Sequence, residues 1–196
     1  MNITLPDGSK QKLSKGSTGL ELAQQIGPGL AKSAVAINID GVQKDLNDRI
    51  EQDCSVSIIT IDSDEGLEIM RHTVAAQVLA AAIKNLFPNS KLAIGPTIYN
   101  GFYYDVLSDK TISSEDLSAI EAEMKSLLQS KSLINKSIHS KKEAVNLFKK
   151  KREDYKIRII DESKQDKDFQ IYTNNDTQFI DLCVGPHLPN LGFIGA

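Results

Sequence analysis

The hydrophobic pattern of this 196-residue chain changes at residues 62–66, and this change constrains the fold more than any other feature. Before this polar stretch, apolar and polar residues alternate in short runs, which is typical of half-buried strands. After it, apolar residues recur every four positions from Val74 to Leu86, which predicts a long amphipathic helix. We therefore expect an α+β chain with two unequal domains, residues 1–62 and residues 63–196.

Composition excludes several classes of protein. A hydrophobic content of 40% with 25% charged residues excludes a disordered tail, a coiled coil and a collagen-like repeat. No apolar run reaches the roughly 18 to 20 residues that cross a bilayer, and the N-terminus lacks the pattern of a signal peptide. We expect a cytoplasmic protein without a membrane partner. The net charge of −3 gives no global sign of nucleic-acid binding, so any such binding must be local.

The first segment has the pattern of a small β-grasp domain. Thr18 and Glu21 form a capping box, which predicts a helix over residues 19–26 that ends at the Gly-Pro-Gly of residues 27–29. The other predicted elements are an opening hairpin with its turn at residues 6–9, and strands at residues 34–39 and 56–60. The resulting order is strand, strand, helix, strand, strand.

The second segment is predicted to combine helices with an antiparallel sheet. Asn100-Gly101 favours a type I′ hairpin turn, because both residues tolerate a positive φ. Ser113 and Asp116 form a capping box for a second helix. The predicted helices cover residues 65–87, 113–128 and 141–152, and the predicted strands cover residues 91–98, 102–106, 155–160, 169–173 and 177–182.

A thiol and an imidazole lie four positions apart in the run Asp181-Leu182-Cys183-Val184-Gly185-Pro186-His187. The turn at Gly185-Pro186 can direct Cys183 and His187 toward a common point, which suits metal ligation, proton transfer or nucleophilic catalysis. A buried cysteine and a surface histidine on either side of a turn would give the same pattern. The residues alone leave these alternatives open.

Two other features have more than one interpretation. His72, near the start of the long helix, has no second histidine four residues later, so taken alone it is a capping or packing residue. His139, among Ser and Lys, is expected at the surface.

Residues 141–158 hold eight Lys or Arg against three acidic residues, a net charge of +5, which fits a polyphosphate partner or a solvated helix face. Lys156 differs, because strand alternation would turn it inward.

Several motifs, in order and over nearly the whole chain, resemble the N-terminal region of bacterial threonyl-tRNA synthetases. Their number and family-like spacing argue against coincidence, and the opening motif is similar to a TGS domain. The motifs are Ile3-Thr4-Leu5-Pro6-Asp7-Gly8, Glu68-Ile69-Met70-Arg71-His72, Ile94-Gly95-Pro96, Asn100-Gly101-Phe102-Tyr103-Tyr104-Asp105, Tyr155-Lys156 and Asp181-Leu182-Cys183-Val184-Gly185-Pro186-His187-Leu188-Pro189.

The resemblance implies that the second domain edits, hydrolysing serine that has been wrongly attached to threonine tRNA. The parent enzyme of such a domain ligates threonine to that tRNA. The family's pocket residues fall on Lys156, Asp181, Cys183, His187 and Tyr104. We expect Lys156 and His187 to act electrostatically and in proton transfer. We expect Asp181 to bind the substrate amino group and Tyr104 to position the ribose or seryl group. We expect Cys183 to shape the pocket, and we include it among the catalytic residues.

The family's long helix carries two histidines four residues apart, and this chain departs from that pattern. Alignment from His72 puts the second position at Ala76, whereas alignment from downstream residues puts the pair at Thr73 and Gln77, one residue out of step. A π-type insertion in the helix would return His72 to the pocket. We therefore expect His72 among the catalytic residues, and Thr73 and Gln77 among the substrate-binding residues.

The incomplete histidine pair weakens the case for zinc. His72, Cys183 and His187 can supply three ligands with an open position, but we expect no cofactor in this segment. The resemblance assigns ATP, magnesium and zinc to a ligase domain that this sequence does not contain. It implies tRNA(Thr), through its aminoacylated 3′ end, as the partner, and a homodimeric parent enzyme joined through domains absent here.

Two alternative functions fit the same motifs. One is a tRNA-binding module whose editing site has degenerated, and the other is a freestanding trans-editing deacylase. The sequence stops at Gly195-Ala196, where the family continues, so we expect part of a longer synthetase with an editing domain truncated at its C-terminal end.

Overall fold

The computed structural model describes residues 1–93, 95–175, 177 and 179–195. The chain forms two compact units, one of residues 1–70 with 185–189, and one of residues 71–184 with the residues that follow 189. The boundary predicted near residue 62 lies between the last strand of the first unit and the helix that begins at Asp64. Two predicted strands, 91–98 and 177–182, include Ile94 and Gln178, which lie outside the described residues.

The first unit is a five-stranded mixed sheet with two helices. Strand β1 pairs in parallel with β5, and the other neighbours pair antiparallel, in the order β2-β1-β5-β3-β4. The fourth strand and the second helix were not predicted. The elements are β1 Asn2–Thr4, β2 Lys10–Lys12, α1 Gly19–Ile26, α2 Pro28–Ser33, β3 Ala34–Ile39, β4 Val42–Asp45 and β5 Cys54–Thr60.

Helix α1 begins where the sequence predicted. The Thr18 hydroxyl accepts from the Glu21 backbone N–H at 3.3 Å, and the Glu21 carboxylate accepts from the Thr18 N–H at 2.7 Å. These two bonds satisfy donors that the first turn of a helix leaves free. Leu22, which the helix contributes to the core, packs in one buried cluster with Ile3 of β1 and Ile37 of β3. The capping box therefore fixes the start of the helix, and the core residues hold it on the sheet.

The second unit combines a long interrupted helix with antiparallel strands, as the predicted α+β class requires. Strands β10, β11 and β12 form one sheet with β11 at its centre, and two short ladders join β6 to β9 and β7 to β8. Helix α3, Asp64–Thr73, contains the division between the units. The further elements are a π-helical segment Val74–Leu79, α4 Ala80–Leu86, β6 Lys91–Leu92, β7 Thr97–Ile98, β8 Gly101–Phe102, β9 Val106–Leu107, a 3₁₀ turn Ser114–Asp116, α5 Leu117–Gln129, β10 Ile134–His139, α6 Lys141–Lys151, α7 Asp154–Glu162, β11 Phe169–Asn174, β12 Phe179–Leu182 and a 3₁₀ turn Leu191–Phe193.

The predicted strand at residues 155–160 is wrong, because these residues form helix α7. Lys156 and Ile160, four positions apart, are both buried, whereas Arg158 and Ile159 are exposed. A spacing of four places two side chains on one face of a helix, and helix α7 packs with this face inward beside α6. Lys156 is therefore buried as predicted, but a helix rather than a strand buries it.

The turn predicted at Asn100-Gly101 and one strand also need correction. In the β7–β8 ladder Ile98 pairs with Gly101, so Tyr99 and Asn100 form the turn, and neither Asn100 nor Gly101 has a positive φ. The hairpin exists, but it does not have the predicted type I′ turn. Strand β10 was missed because it is an edge strand that buries only Ile134, and Asn135, Lys136 and Ser137 interrupt its apolar residues.

Gly19 offers a test of packing in the first unit. A Cβ at this position would lie 2.2 Å from Ile37 Cγ2 and 2.9 Å from the Leu46 carbonyl oxygen. We expect Gly19→Ala to lower the free energy of unfolding by about 1–3 kcal/mol, as overpacking does, measured by urea denaturation. The control is Gly29→Ala in α2, where a Cβ meets nothing within 4 Å, so no loss is expected. Equal stability of the two variants would contradict this account.

Candidate active site

A π-helical segment interrupts the long helix at Val74–Leu79. The Ala80 N–H donates to the carbonyl oxygen of Ala75, five residues back, instead of four as in an α-helix. A π turn takes one more residue than an α turn, so side chains after it are displaced by one position. The π-type insertion that the sequence left open is present, and it accounts for the one-residue offset between His72 and the downstream register.

His72 and Cys183 meet within the second unit. The Nε2 atom of His72 lies 3.0 Å from the Sγ atom of Cys183, and both residues are partly buried. Cys183 directly follows strand β12, and its backbone N–H donates to the Gln170 carbonyl oxygen at 3.2 Å, which fixes where the thiol lies. An imidazole hydrogen-bonded to a thiol can hold or pass a proton, so the pair has the chemistry of an acid–base site.

Lys156 and Asp181 form an ion pair that is almost completely buried. Lys156 Nζ lies 2.7 Å from Asp181 Oδ1, and the two side chains are 6% and 4% exposed. The ammonium also donates to the Ala93 carbonyl oxygen, and Oδ1 accepts the Leu182 backbone N–H at 2.8 Å. Burial raises the pKa of the Asp181 carboxyl, while the Lys156 ammonium acts in the opposite direction. The carboxylate charge of Asp181 therefore depends on Lys156.

Tyr104 completes this group from the segment between β8 and β9. Its hydroxyl lies 3.5 Å from Asp181 Oδ2, the oxygen that Lys156 does not occupy. Burial and the Asp181 charge raise the pKa of the Tyr104 hydroxyl, so it stays protonated and acts as a donor. Gly95 makes room for the ring, since a Cβ there would lie 2.2 Å from Tyr104 Cδ2. The absence of a side chain at Gly95 thus permits the position of Tyr104.

A second ion pair was missed by sequence reasoning. Lys84 Nζ lies 2.6 Å from Glu153 Oε1, and it also donates to the carbonyl oxygens of Pro88 and Ser90. The Glu153 charge acts on both Tyr104 and Asp181 by raising their pKa values, so the pair belongs electrostatically to the same group. The only sequence signal was an acidic residue inside a basic run. Two ammonium groups and two carboxylates leave this cluster neutral.

The remaining predicted substrate-binding residues, Thr73 and Gln77, are fully buried on the helix. His187 belongs to the first unit. It is 1% exposed, and its backbone N–H donates to Asp45 Oδ1 at 2.8 Å. Its catalytic role stays a prediction. Of the three candidate zinc ligands, His72 and Cys183 lie together in the second unit, and the expectation of a metal-free segment also stays a prediction.

The basic residues of 141–158 do not act as one patch. Lys156 is buried in its ion pair, and the Lys141 ammonium donates to the carbonyl oxygens of Asp161 and Ser163. Arg158 of α7 is exposed but paired with Glu162. The other exposed cations lie at the outer face and C-terminal end of α6, namely Lys142, Lys149, Lys150, Lys151 and Arg152. Only this end of the run is placed to attract phosphates.

Comparison with known proteins identifies the relatives of the chain. Residues 1–60 match the TGS domain family. The threonine–tRNA ligase of Acidithiobacillus ferrooxidans is 44% identical over 195 residues, and those of Symbiobacterium thermophilum and Bartonella bacilliformis are 41% and 42% identical. The chain is homologous to the N-terminal region of threonyl-tRNA synthetases. These matches cover 100% of the chain and 29–30% of each synthetase.

The homology confirms the resemblance inferred from the motifs and the TGS domain at the N-terminus. Because the chain spans less than a third of these threonyl-tRNA synthetases, their ligase activity is not assigned to it. Among the described residues, no helix is both long and apolar enough to cross a membrane.

Removing one partner of the buried Lys156–Asp181 pair is expected to destabilise the protein. Lys156→Met leaves the Asp181 carboxylate uncompensated, which typically costs about 3–5 kcal/mol in the free energy of unfolding. Replacing both residues, with Lys156→Met and Asp181→Leu, should recover most of the loss. Chemical denaturation measures both variants, with Lys149→Met on exposed α6 as the control. A double variant no more stable than Lys156→Met would contradict the pairing.

Proposed function

We propose that the second unit is an editing domain that hydrolyses serine from mischarged Ser-tRNA(Thr). The observation that carries this proposal is the buried Lys156–Asp181 pair with Tyr104 on its second oxygen, in a chain homologous to threonyl-tRNA synthetases. Buried charges cost stability, and strongly perturbed groups are concentrated at functional sites. The TGS domain and the homology support tRNA as the partner.

A threonyl-tRNA synthetase needs such an activity for a physical reason. Serine lacks only one methyl group of threonine, a difference worth about 1–3 kcal/mol in a binding pocket. That difference is too small for accurate synthesis in one step, so a second site must remove the smaller amino acid. An editing pocket reverses the size criterion, because it admits serine and excludes threonine sterically.

The site residues suit hydrolysis of an aminoacyl ester. We assign the substrate ammonium to Asp181 Oδ2, which among the described residues accepts from Tyr104 alone, whereas Oδ1 already accepts from Lys156 and a backbone N–H. Tyr104, as a permanent donor, orients the ribose or seryl group, and Lys156 stabilises the negative charge that develops on the ester oxygen. Thr73 and Gln77 line the substrate side.

The imidazole–thiol pair is the proposed acid–base group. His72 takes a proton from the attacking water and returns it to the leaving ribose hydroxyl, and Cys183 holds the imidazole in place at 3.0 Å. We propose a second proton-handling role for His187, from the resemblance alone. The segment performs these steps with its own side chains and needs no cofactor.

The proposed partner is the 3′ end of tRNA(Thr). The exposed cations at the end of α6 would hold its phosphates, which makes binding dependent on salt concentration. In the parent enzyme, ligation of threonine with ATP, magnesium and zinc, and dimerisation, belong to other domains. A cytoplasmic location follows from this role in protein synthesis.

Release of serine from mischarged tRNA tests the proposal directly. The chain should release serine from Ser-tRNA(Thr) at least about tenfold faster than threonine from Thr-tRNA(Thr), because one methyl group is the discriminating feature. His72→Ala should slow serine release about 100-fold, as loss of an acid–base group does. The measurement is the initial rate with labelled amino acid.

His139→Ala is the matched control, because His139 lies on β10 and contacts Ser137 rather than the site residues. This variant should keep the wild-type rate. Serine release that is absent from the wild type, with tRNA binding retained, would favour the alternative of a binding module with a degenerate site. Equal release of serine and threonine would contradict editing.

A further inference from the structure

Gln77 is one of two fully buried amide side chains of the second unit with no hydrogen-bond partner among the described residues, the other being Asn174 of β11. The Gln77 side chain is 0% exposed, and neither Nε2 nor Oε1 has a hydrogen-bond partner among the residues that the structure describes. Most buried side-chain polar atoms are hydrogen-bonded. A buried polar group left unpaired lowers the stability of the fold, so an amide with neither atom paired needs an explanation.

The position of Gln77 links it to the proposed active site. It lies within the π-helical segment, which packs against strand β12, the strand that contains Asp181. The next residue, Val78, packs in the buried cluster that Cys183 borders, and Ala80 packs in the cluster that Tyr104 borders. π-helical segments are frequently found at functional sites. The unpaired amide therefore lies on the element that backs the site.

Packing alone does not account for a glutamine at this position. The neighbouring residues Ala75, Ala76 and Val78 are apolar and buried, so an unbranched apolar side chain of similar length would fill the space without unpaired atoms. Residues that lower stability without a packing reason are characteristic of functional sites. Packing against these residues therefore gives no reason for an amide at this position.

We infer that Gln77 is a specificity residue whose amide binds the side-chain hydroxyl of the seryl group. This inference rests on the proposed editing function. A hydroxyl both donates and accepts one hydrogen bond, and an amide offers one acceptor and two donors, so the two groups complement each other. A site built to bind a hydroxyl rejects the analogue without it, because its own polar atoms then stay unpaired.

An amide does not titrate in the range where imidazole does. Gln77 therefore contributes to recognition of the substrate and not to proton transfer, which His72 provides. The consequence is measurable. Removing the amide should change the preference for seryl over alanyl esters and leave the pH dependence of the rate unchanged.

The test compares Gln77→Met with the wild type on Ser-tRNA(Thr) and Ala-tRNA(Thr). Alanine is serine without the hydroxyl, so the ratio of the two release rates isolates the contribution of that group. We expect the ratio of serine to alanine release to fall about tenfold in Gln77→Met, with an unchanged pH profile. The melting temperature should equal or exceed that of the wild type, since the unpaired amide is gone. Gln129→Met, at an exposed position of α5, is the control and should change neither quantity.

The outcomes separate the inference from the proposed function. Wild-type serine release together with an unchanged serine-to-alanine ratio in Gln77→Met overturns the inference and leaves editing intact. A fall in melting temperature with both rates reduced equally shows a structural role and also overturns it. A wild type that releases no serine overturns the proposed function and, with it, the role of Gln77.

Discussion

The second unit depends on one buried ion pair, that of Lys156 and Asp181. It joins helix α7 to the end of strand β12. Removing either partner would leave the other charge buried and uncompensated, which lowers the free energy of unfolding. Each additional contact serves this pair. Tyr104 occupies the second carboxylate oxygen, Gly95 leaves room for the Tyr104 ring, and the Ala93 carbonyl accepts from the ammonium. Since apolar pairs often replace buried ion pairs at little cost, stability alone does not account for these two charges.

The π-helical segment is the second constraint, and it solves a problem of register. The helix must present His72 to Cys183 on one side and pack its Ala-rich continuation on α5 on the other. The chain has one residue more between these two contacts than a regular α-helix would place there. The wider π turn accommodates that residue, so both requirements are met. Gln77 lies within the π-helical segment, and we infer that its unpaired amide binds the hydroxyl of the seryl group.

Local signals predicted much of the fold, and contacts distant in sequence were harder to predict. The capping box at Thr18 and the basic helix α6 follow from neighbouring residues, and both are confirmed. Strand β10 was missed because an edge strand shows little apolar alternation. Lys156 was correctly expected to be buried, but on the wrong element. The resemblance placed Lys156 and Asp181 in one pocket but did not predict that they form an ion pair. The only sequence signal for the Lys84–Glu153 pair was an acidic residue inside a basic run, because only the fold brings the two residues together.

The most direct test of the central claim is the rate of serine release from Ser-tRNA(Thr) by Asp181→Asn. This change removes the carboxylate charge and keeps the shape of the side chain. If the buried pair organises an editing site, serine release should fall at least about 100-fold at a temperature where the variant is shown by circular dichroism to be folded. Release at the wild-type rate by the folded variant would contradict the claim that this ion pair is the basis of the activity.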